Sequence, residues 1–490
     1  MKENEGARFG RRDFLKTTAI AGVATALPGT VLPGRAAATA PKARTRGGKS
    51  RLLFMTDAPE TYAKIIDALK SLKGADLAVT VAKVNYQKPE ELGEAFRRED
   101  PDILFMVLAR VTTISGNLPA AMGEVDVPVV ILPVNFDLIM LEADLAAAFR
   151  MRGTYARLAN SEAQALELVR TLTSPRILEG KKALIYGRPF DSTSVPAPNL
   201  DADYVYARTG VRIEYRPIEE LRRRLEEVRP ESAREEMERW RREAAAVVEP
   251  TERDLLESAR MYVLLRSIVD REGLSAISID CLSFSFDAKS TIPLPCLAFT
   301  RLRDEGIAAP CEADVYASLS SMFLETVSRK PSYFCNVSSV DNEASSTVLR
   351  HCVAPVRLMG KDAPPLRYNL RDYHGFGKGV TPEVEFPAGI DVTMGVFSKD
   401  LKSFVWWPGR TRSRKSDTDR PSFPGTDSKM RRYCSNHLEV GIRDVDRFVQ
   451  SIGGIHHVMV AGSYRKEIDQ ALTAMNVNVI GPADLDAPEA

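Results

Sequence analysis

Three observations predict an α/β fold for this chain of 490 residues, with two Rossmann-like α/β domains followed by a β-barrel-like C-terminal domain. From Arg51 to about Pro175, short apolar runs alternate with amphipathic stretches of helical length, the pattern of βαβ units on a parallel sheet. The alternation restarts at "KKALIYG", where a second such domain begins. From about Cys335 the helix signals fade, and short β-rich runs separated by Gly, Pro and Asp replace them. The expected boundaries are 51–175, 176–334 and 335–490, in keeping with a chain of roughly three domains by the usual size prior.

The N-terminus stands apart from this frame. In "GRRDFLKTTAIAGVATALPG" two arginines precede an apolar stretch, Ala19 to Leu27, that is too short for the about 20 residues a membrane span needs. Small residues follow at "RAAATA", and cleavage after Ala38 fits the small-x-small rule, because a cut after Ala40 would leave Pro41 next in line. Residues 1–38 therefore look like a twin-arginine export signal, 39–50 a linker, and the mature protein an exported, periplasmic one handled by the twin-arginine machinery. Formal net charge is +1, of which the first 38 residues carry +3 and the remainder −2, so no global field favours nucleic acid or anionic lipid. All six cysteines lie in the last 210 residues and none forms a CxxC pair. A chain folded in the reducing cytosol before export is expected to keep them as buried free thiols.

Element by element, "RLLFM", "LAVTVAKV", "DILFMVL" and "VPVVILP" read as strands, with Thr61–Leu72 and Pro89–Arg98 as helices between them. The second unit opens on a strand ending in the loop "GRPFDSTS". Ligands of open α/β sheets gather at such carboxyl ends, which makes Arg188, Asp191 and Ser192 candidate substrate contacts. From Ile218 to Ile268 the chain reads as charged helices whose acids and bases alternate on solvated faces, and "TERD" reads as a capping box at Thr251. The strand "AISIDCLSF" follows. The C-terminal runs "PVRLMG", "GIDVTMGVF", "KSFVWWPG" and "LEVGIRDV" close on a last βα element from His456, and "GRTRSRKSDTDRPSFPGTDSK" is a polar loop with a basic cluster at Arg410, Arg412, Arg414 and Lys415.

Every histidine lies after residue 350: His351, His374, His437, His456 and His457. Glu312 and Asp314 open a helix after a Pro-Cys turn, Asp341 ends a strand-like run, and "LRHCVAP" follows about ten residues later. Two carboxylates with imidazole at strand ends suit a hard to borderline divalent ion such as Mn²⁺. Asp314 alone reads as a carboxylate at a helix N-terminus. His374 is either a substrate contact or a turn residue. The rings of Trp406 and Trp407 either stack on a sugar, Trp407 being the candidate, or point in and out of a barrel strand.

The ordered set Glu312, Asp341, His351 and "GGIHHV", spaced by about 29, 10 and 105 residues, resembles the L-fucose/L-arabinose isomerase superfamily, in which Glu, Asp or Glu, and His hold a divalent metal. "CEADV" and "HC" are similar to the fucose-isomerase-like branch, and "GGIHH" to the double histidine of arabinose isomerases. The resemblance spans about residues 51 to 487. It implies a site between the second and third domains. It also implies a homo-oligomer, trimer or hexamer, in which a neighbour's N-terminal domain helps cover a small sugar. Aldose–ketose isomerisation through a cis-enediolate needs an acid/base pair and a cation. Glu312 and Asp341 are assigned to both proton transfer and metal binding, and one of His456 and His457 to the metal, since successive strand residues face opposite ways. His351 is a further ligand or a substrate contact. Two other readings stand beside this one: an exported, non-catalytic sugar-binding protein on the same scaffold, and a different metal-dependent reaction on a sugar or sugar acid, for which the basic loop near Arg412 would suit an anionic substrate.

Overall fold

The first parallel sheet is built from β1 (Ser50–Thr56), β2 (Leu77–Lys83), β3 (Ile103–Val107), β4 (Val129–Leu132) and β5 (Ala156–Leu158), in the order β2-β1-β3-β4-β5. This computed structural model describes residues 49–482 apart from 74, 76, 108–117, 138, 174–176, 190–200, 286, 288, 289, 414–433 and 435. The export signal, Asp191, Ser192, Arg414 and Lys415 lie outside the described residues, as does nearly all of the 39–50 linker. The Leu52–Met55 run of β1 and all of β3 and β4 are apolar because both faces of the sheet are covered. Leu53, Met55, Leu104 and Met106 enter one core, while their neighbours Leu52, Phe54, Ile103 and Phe105 enter another on the opposite face. The covering helices are α1 (Ala63–Lys70), α2 (Pro89–Glu99), α3 (Leu118–Ala121), α4 (Met140–Met151) and α5 (Glu162–Leu172).

The second parallel sheet is smaller, with β6 (Lys182–Tyr186) between β7 (Arg212–Arg216) and β9 (Ala276–Ile279). Isolated parallel bridges from Ala276 to Ala308 and from Ile279 to Cys311 add a fourth extended segment beside β9. That segment ends at Glu312, on the carboxyl edge of the sheet. Helices α6 (Ala202–Thr209), α7 (Ile218–Glu226), α8 (Arg234–Glu243), α9 (Glu252–Glu272), α10 (Leu282–Ser285), α11 (Cys296–Asp304) and α12 (Val315–Ser328) complete this region. The capping box at the start of α9 is present: Asp254 N–H donates to Thr251 Oγ1 at 3.2 Å, and Thr251 N–H donates to Asp254 Oδ2 at 2.9 Å. The charged run folds into helices carrying i,i+4 pairs such as Arg239–Glu243 at 2.8 Å.

The C-terminal region is a closed barrel of six antiparallel strands. β10 (Tyr333–Asp341), β11 (Ser346–His351), β16 (Asn436–Gly441), β15 (Ser403–Thr411), β14 (Asp391–Phe397) and β17 (His456–Ala461) follow one another around it, and β17 closes on β10. β18 (Asn478–Ile480) adds in parallel to β15. Helices α13 (Val445–Ser451) and α14 (Arg465–Ala474) complete it. β12 (Tyr368–Arg371) and β13 (Thr381–Val384) form a small side sheet with β8 (Ala246–Val247), a strand from the central region. The expected boundary at 334/335 thus falls inside β10. The central and C-terminal regions share one continuous apolar core, in contrast to the first sheet with its own two.

Candidate metal centre

Three segments from two regions meet at one point. Glu312 and Ala313 both take left-handed backbone, with φ of 66° and 54°. Two consecutive non-glycine residues in that region cost on the order of 1–2 kcal/mol each. The turn they make is anchored by Asp314, whose Oδ1 caps α12 by accepting from Ala317 N–H at 2.8 Å. His351 ends β11 and His456 begins β17, on the two strands that flank β10. The ring of Phe334, on β10 between them, lies 4.5 Å from the His351 ring and 4.4 Å from the His456 ring.

The polar atoms converge in front of that ring. His351 Nε2 is 3.4 Å from Glu312 Oε1, and His456 Nε2 is 3.2 Å from Glu312 Oε2. One ligand atom from each of these three side chains lies within 4.8 Å of the other two, so the group could hold a metal ion. Behind it, His456 Nδ1 is 2.8 Å from Asp314 Oδ2. A carboxylate there fixes the ring so that Nε2 faces the Glu312 carboxylate, the orientation a metal-ligating histidine would need. Burial penalises the Glu312 carboxylate, yet hydrogen bonds from both histidines outweigh it and hold its pKa well below the ordinary range. Burial also works against charge on His456, but Asp314 and Glu312 prevail and hold it up at about 9. For His351 burial wins, and its pKa falls.

Asp341 does not join this group. It is exposed at the far end of β10, where its Oδ1 accepts from Ala344 N–H at 2.8 Å and shapes the turn into β11. Asn336 is the residue opposite His456. Five residues at about 3.3 Å each separate Asp341 from that level, roughly 16 Å. The assignment of Asp341 to catalysis and metal binding is therefore corrected: its spacing in the sequence marks a hairpin turn. Between the two adjacent histidines the strand period decides for His456. His457 points the other way and is fully buried. Its ring nitrogens have no hydrogen-bond partner among the described residues, and burial takes its pKa down to about 4.

Trp407 is also corrected as a substrate contact. It is 2% exposed, its Nε1 donates to Ser451 Oγ at 2.6 Å, and its ring packs edge-on against Phe448. Trp406 is equally buried, so both faces of β15 are covered. Arg412 donates to the carbonyls of Ala344 and Ser345, at the Asp341 end of the barrel, and Arg410 pairs with Asp391 at 2.9 Å. Neither faces the Glu312 group. Arg188 is exposed just past β6, on the same sheet edge as Glu312, and its N–H donates to Asp280 Oδ2 at 3.3 Å. The chain turns there at Gly187, where a Cβ would come 2.6 Å from that of Asp280. His374 lies half-buried in a turn held by Asp372, against Tyr373 and in electrostatic reach of His351 and Glu312. Burial first, then His351, lowers its pKa to about 4. The second role of Asp314 and the seating of both imidazoles on Phe334 had no local signal beyond the closeness of two acids in "CEAD". All six cysteines are free and five are buried, as expected for the thiols.

Neither a protein-family model nor a curated protein matches this chain. Fold and site together define a protein with parallel-sheet α/β regions, a closed six-stranded barrel, and a buried Glu/His/His group able to hold a metal ion between them.

Proposed function

We propose that this chain is a divalent-metal-dependent enzyme acting on a small polyhydroxylated carbonyl compound, in the manner of an aldose–ketose isomerase. The observation that carries the reading is the Glu312/His351/His456 cluster with Asp314 behind it. Both histidines and the glutamate belong to the ordered set that resembles the L-fucose/L-arabinose isomerase superfamily. A divalent ion held there supplies positive charge to a carbonyl oxygen that becomes negative along the reaction. Glu312 is ionised at pH 7 and offers an acceptor for the proton on the neighbouring carbon. His374 is neutral at pH 7 and offers an N–H to a substrate oxygen. It takes the place of Asp341 as the second partner in proton transfer. With one carboxylate and two imidazoles the donor set is softer than the pair of carboxylates expected, which widens the choice from Mn²⁺ to Zn²⁺, Fe²⁺ or Co²⁺.

The finer assignments belong to the same proposal. The strand order β2-β1-β3-β4-β5 is one of the two common doubly wound orders, which supports a Rossmann-like reading of the first α/β region. The bridges that extend the second sheet support the same reading there. Export by the twin-arginine route to the periplasm rests on Arg11 and Arg12 ahead of the short apolar stretch, and a homo-oligomer on the family resemblance. Folding around the ion before export would keep Cu²⁺ and Zn²⁺ of the periplasm from displacing a weaker-binding one.

The test uses metal-loaded protein with a panel of aldoses and ketoses in D₂O. Reaction through a cis-enediolate places deuterium on the carbon next to the carbonyl, and Glu312→Gln abolishes it. Metal bound with no deuterium entering any sugar would refute the isomerase reading. The absence of Asp341 from the cluster favours, as the second reading, a sugar-binding protein that keeps the metal without this proton transfer.

A further inference from the structure

Arg303 is an anomaly in this structure. It is 1% exposed, and among the described residues no carboxylate lies within ion-pair distance of it. Its bonds go to backbone carbonyls: Nε and Nη2 donate to Ala309 O at 3.0 and 2.7 Å, and Nη1 to Val353 O at 3.3 Å. Taking a guanidinium out of water is expensive, and bonds to neutral carbonyls, with the Glu325 carboxyl in electrostatic reach but not in contact, offset only part of that cost. A leucine or methionine would fill such a place in a core without that penalty.

What the guanidinium touches explains its presence. Ala309 lies three residues before Glu312, and Val353 two residues after His351. The same group stands 5.9 Å over the ring of Phe334, which seats both imidazoles. Arg303 therefore contacts the supports of all three candidate ligands while touching none of them. It does so from α11, whose Thr300 and Asp304 grip the same chain segment. Thr300 Oγ1 donates to Ala354 O at 3.1 Å, and Asp304 Oδ1 accepts from Arg357 N–H at 2.8 Å. Positions 300, 303 and 304 share one helix face. Of the three, Arg303 alone spans to the segment that carries Glu312, because its planar fork serves two carbonyls at once.

We propose that Arg303 is a positioning residue for the metal centre: it ties the Glu312 segment to the His351 segment and supports Phe334 beneath the two imidazoles. This rests on the metal reading above. If Arg303 acts in this way, its loss changes the geometry of the bound ion and not merely the stability of the fold.

The experiment titrates Co²⁺ into the full chain and reads both affinity and the visible d–d spectrum, with denaturant unfolding measured alongside. Arg303→Met is expected to weaken Co²⁺ binding 10- to 100-fold, the range typical of outer-shell partners, and to change the spectrum. Arg303→Lys keeps the charge without the fork and is expected to fall between. Thr300→Val, which loses a bond to the His351 segment but leaves the tie to the Glu312 segment in place, is expected to change the spectrum less than Arg303→Met does. Should Arg303→Met fail to fold, Arg303→Lys and Phe334→Leu decide, the latter keeping the guanidinium and its carbonyl bonds while removing the ring. Folded Arg303→Lys and Phe334→Leu proteins with the wild-type affinity and spectrum would overturn the inference. A wild-type chain that binds no Co²⁺ overturns the metal centre itself, a result distinct from unchanged variants.

Discussion

At the scale of single residues, the centre depends on which way each side chain can face. His456 and His457 are neighbours, yet the pleat sends one to Glu312 and the other into the buried interior. Metal content of the purified protein is expected to vanish in Glu312→Gln and His456→Ala, and to persist in Asp341→Asn. Asp314→Asn is expected to bind 10- to 100-fold more weakly, since the amide holds the ring but no longer raises its basicity. Competition with a chromophoric chelator measures both. Retention of full affinity in Asp314→Asn would mean that the carboxylate serves the helix cap alone.

At the scale of elements, helices α11 and α12 bring the buried carboxyl of Asp304 and the half-buried one of Glu325 to the seam between the central sheet and the barrel. Burial is the main reason that Asp304 and Glu325 both titrate up at about 7, against hydrogen bonds from Arg357 N–H and from Ser332 that pull the other way. In the unfolded chain both lose their protons near pH 4. Between about pH 4 and 7 the native state therefore holds more protons, so stability is full below that window and falls as pH rises through it. The loss is on the order of 3 kcal/mol per group. Denaturant midpoints compared at pH 5 and pH 7.5 are expected to show the fall, and Glu325→Gln to remove its share. A flat profile in the wild type would mean that these carboxyls are ionised when folded. At the start of α9, Thr251→Ala is expected to cost about 1 kcal/mol through the lost cap, read as a lower midpoint.

At the scale of the whole molecule, Glu312 comes from the central region and both histidines from the barrel, so a bound ion holds the two together. An ion at one hundred times its Kd adds about 2.7 kcal/mol. A chelator is expected to lower the unfolding temperature of this shared core. The first sheet has cores of its own, and it meets the C-terminal region through contacts such as Tyr155 Oη to Thr473 Oγ1 at 2.8 Å. Its transition is expected to move little. A chelator-induced shift of equal size in both transitions would show that they unfold as one unit.

Much of this architecture is legible in the amino acids alone. Apolar runs alternating with amphipathic helices specify parallel sheets, and the change of texture near Cys335 marks a β-rich region, because strand and helix periods are local properties of the chain. The capping box at Thr251, the clustering of histidines after residue 350 and the rule that one histidine of the adjacent pair, not both, faces the site follow from the same local rules. Which carboxylate meets them does not. In the sequence Asp341 reads as the ligand and Asp314 as a carboxylate at a helix N-terminus. The barrel register places the first at a distant turn, and the left-handed turn at Glu312 places the second against His456. Arg303 is likewise one base among many until the packing of α11 shows it buried beneath the ligands. Local pattern determines which elements form, whereas closure of the barrel and the cost of burying charge decide which side chains meet, since both depend on contacts between residues far apart in the chain.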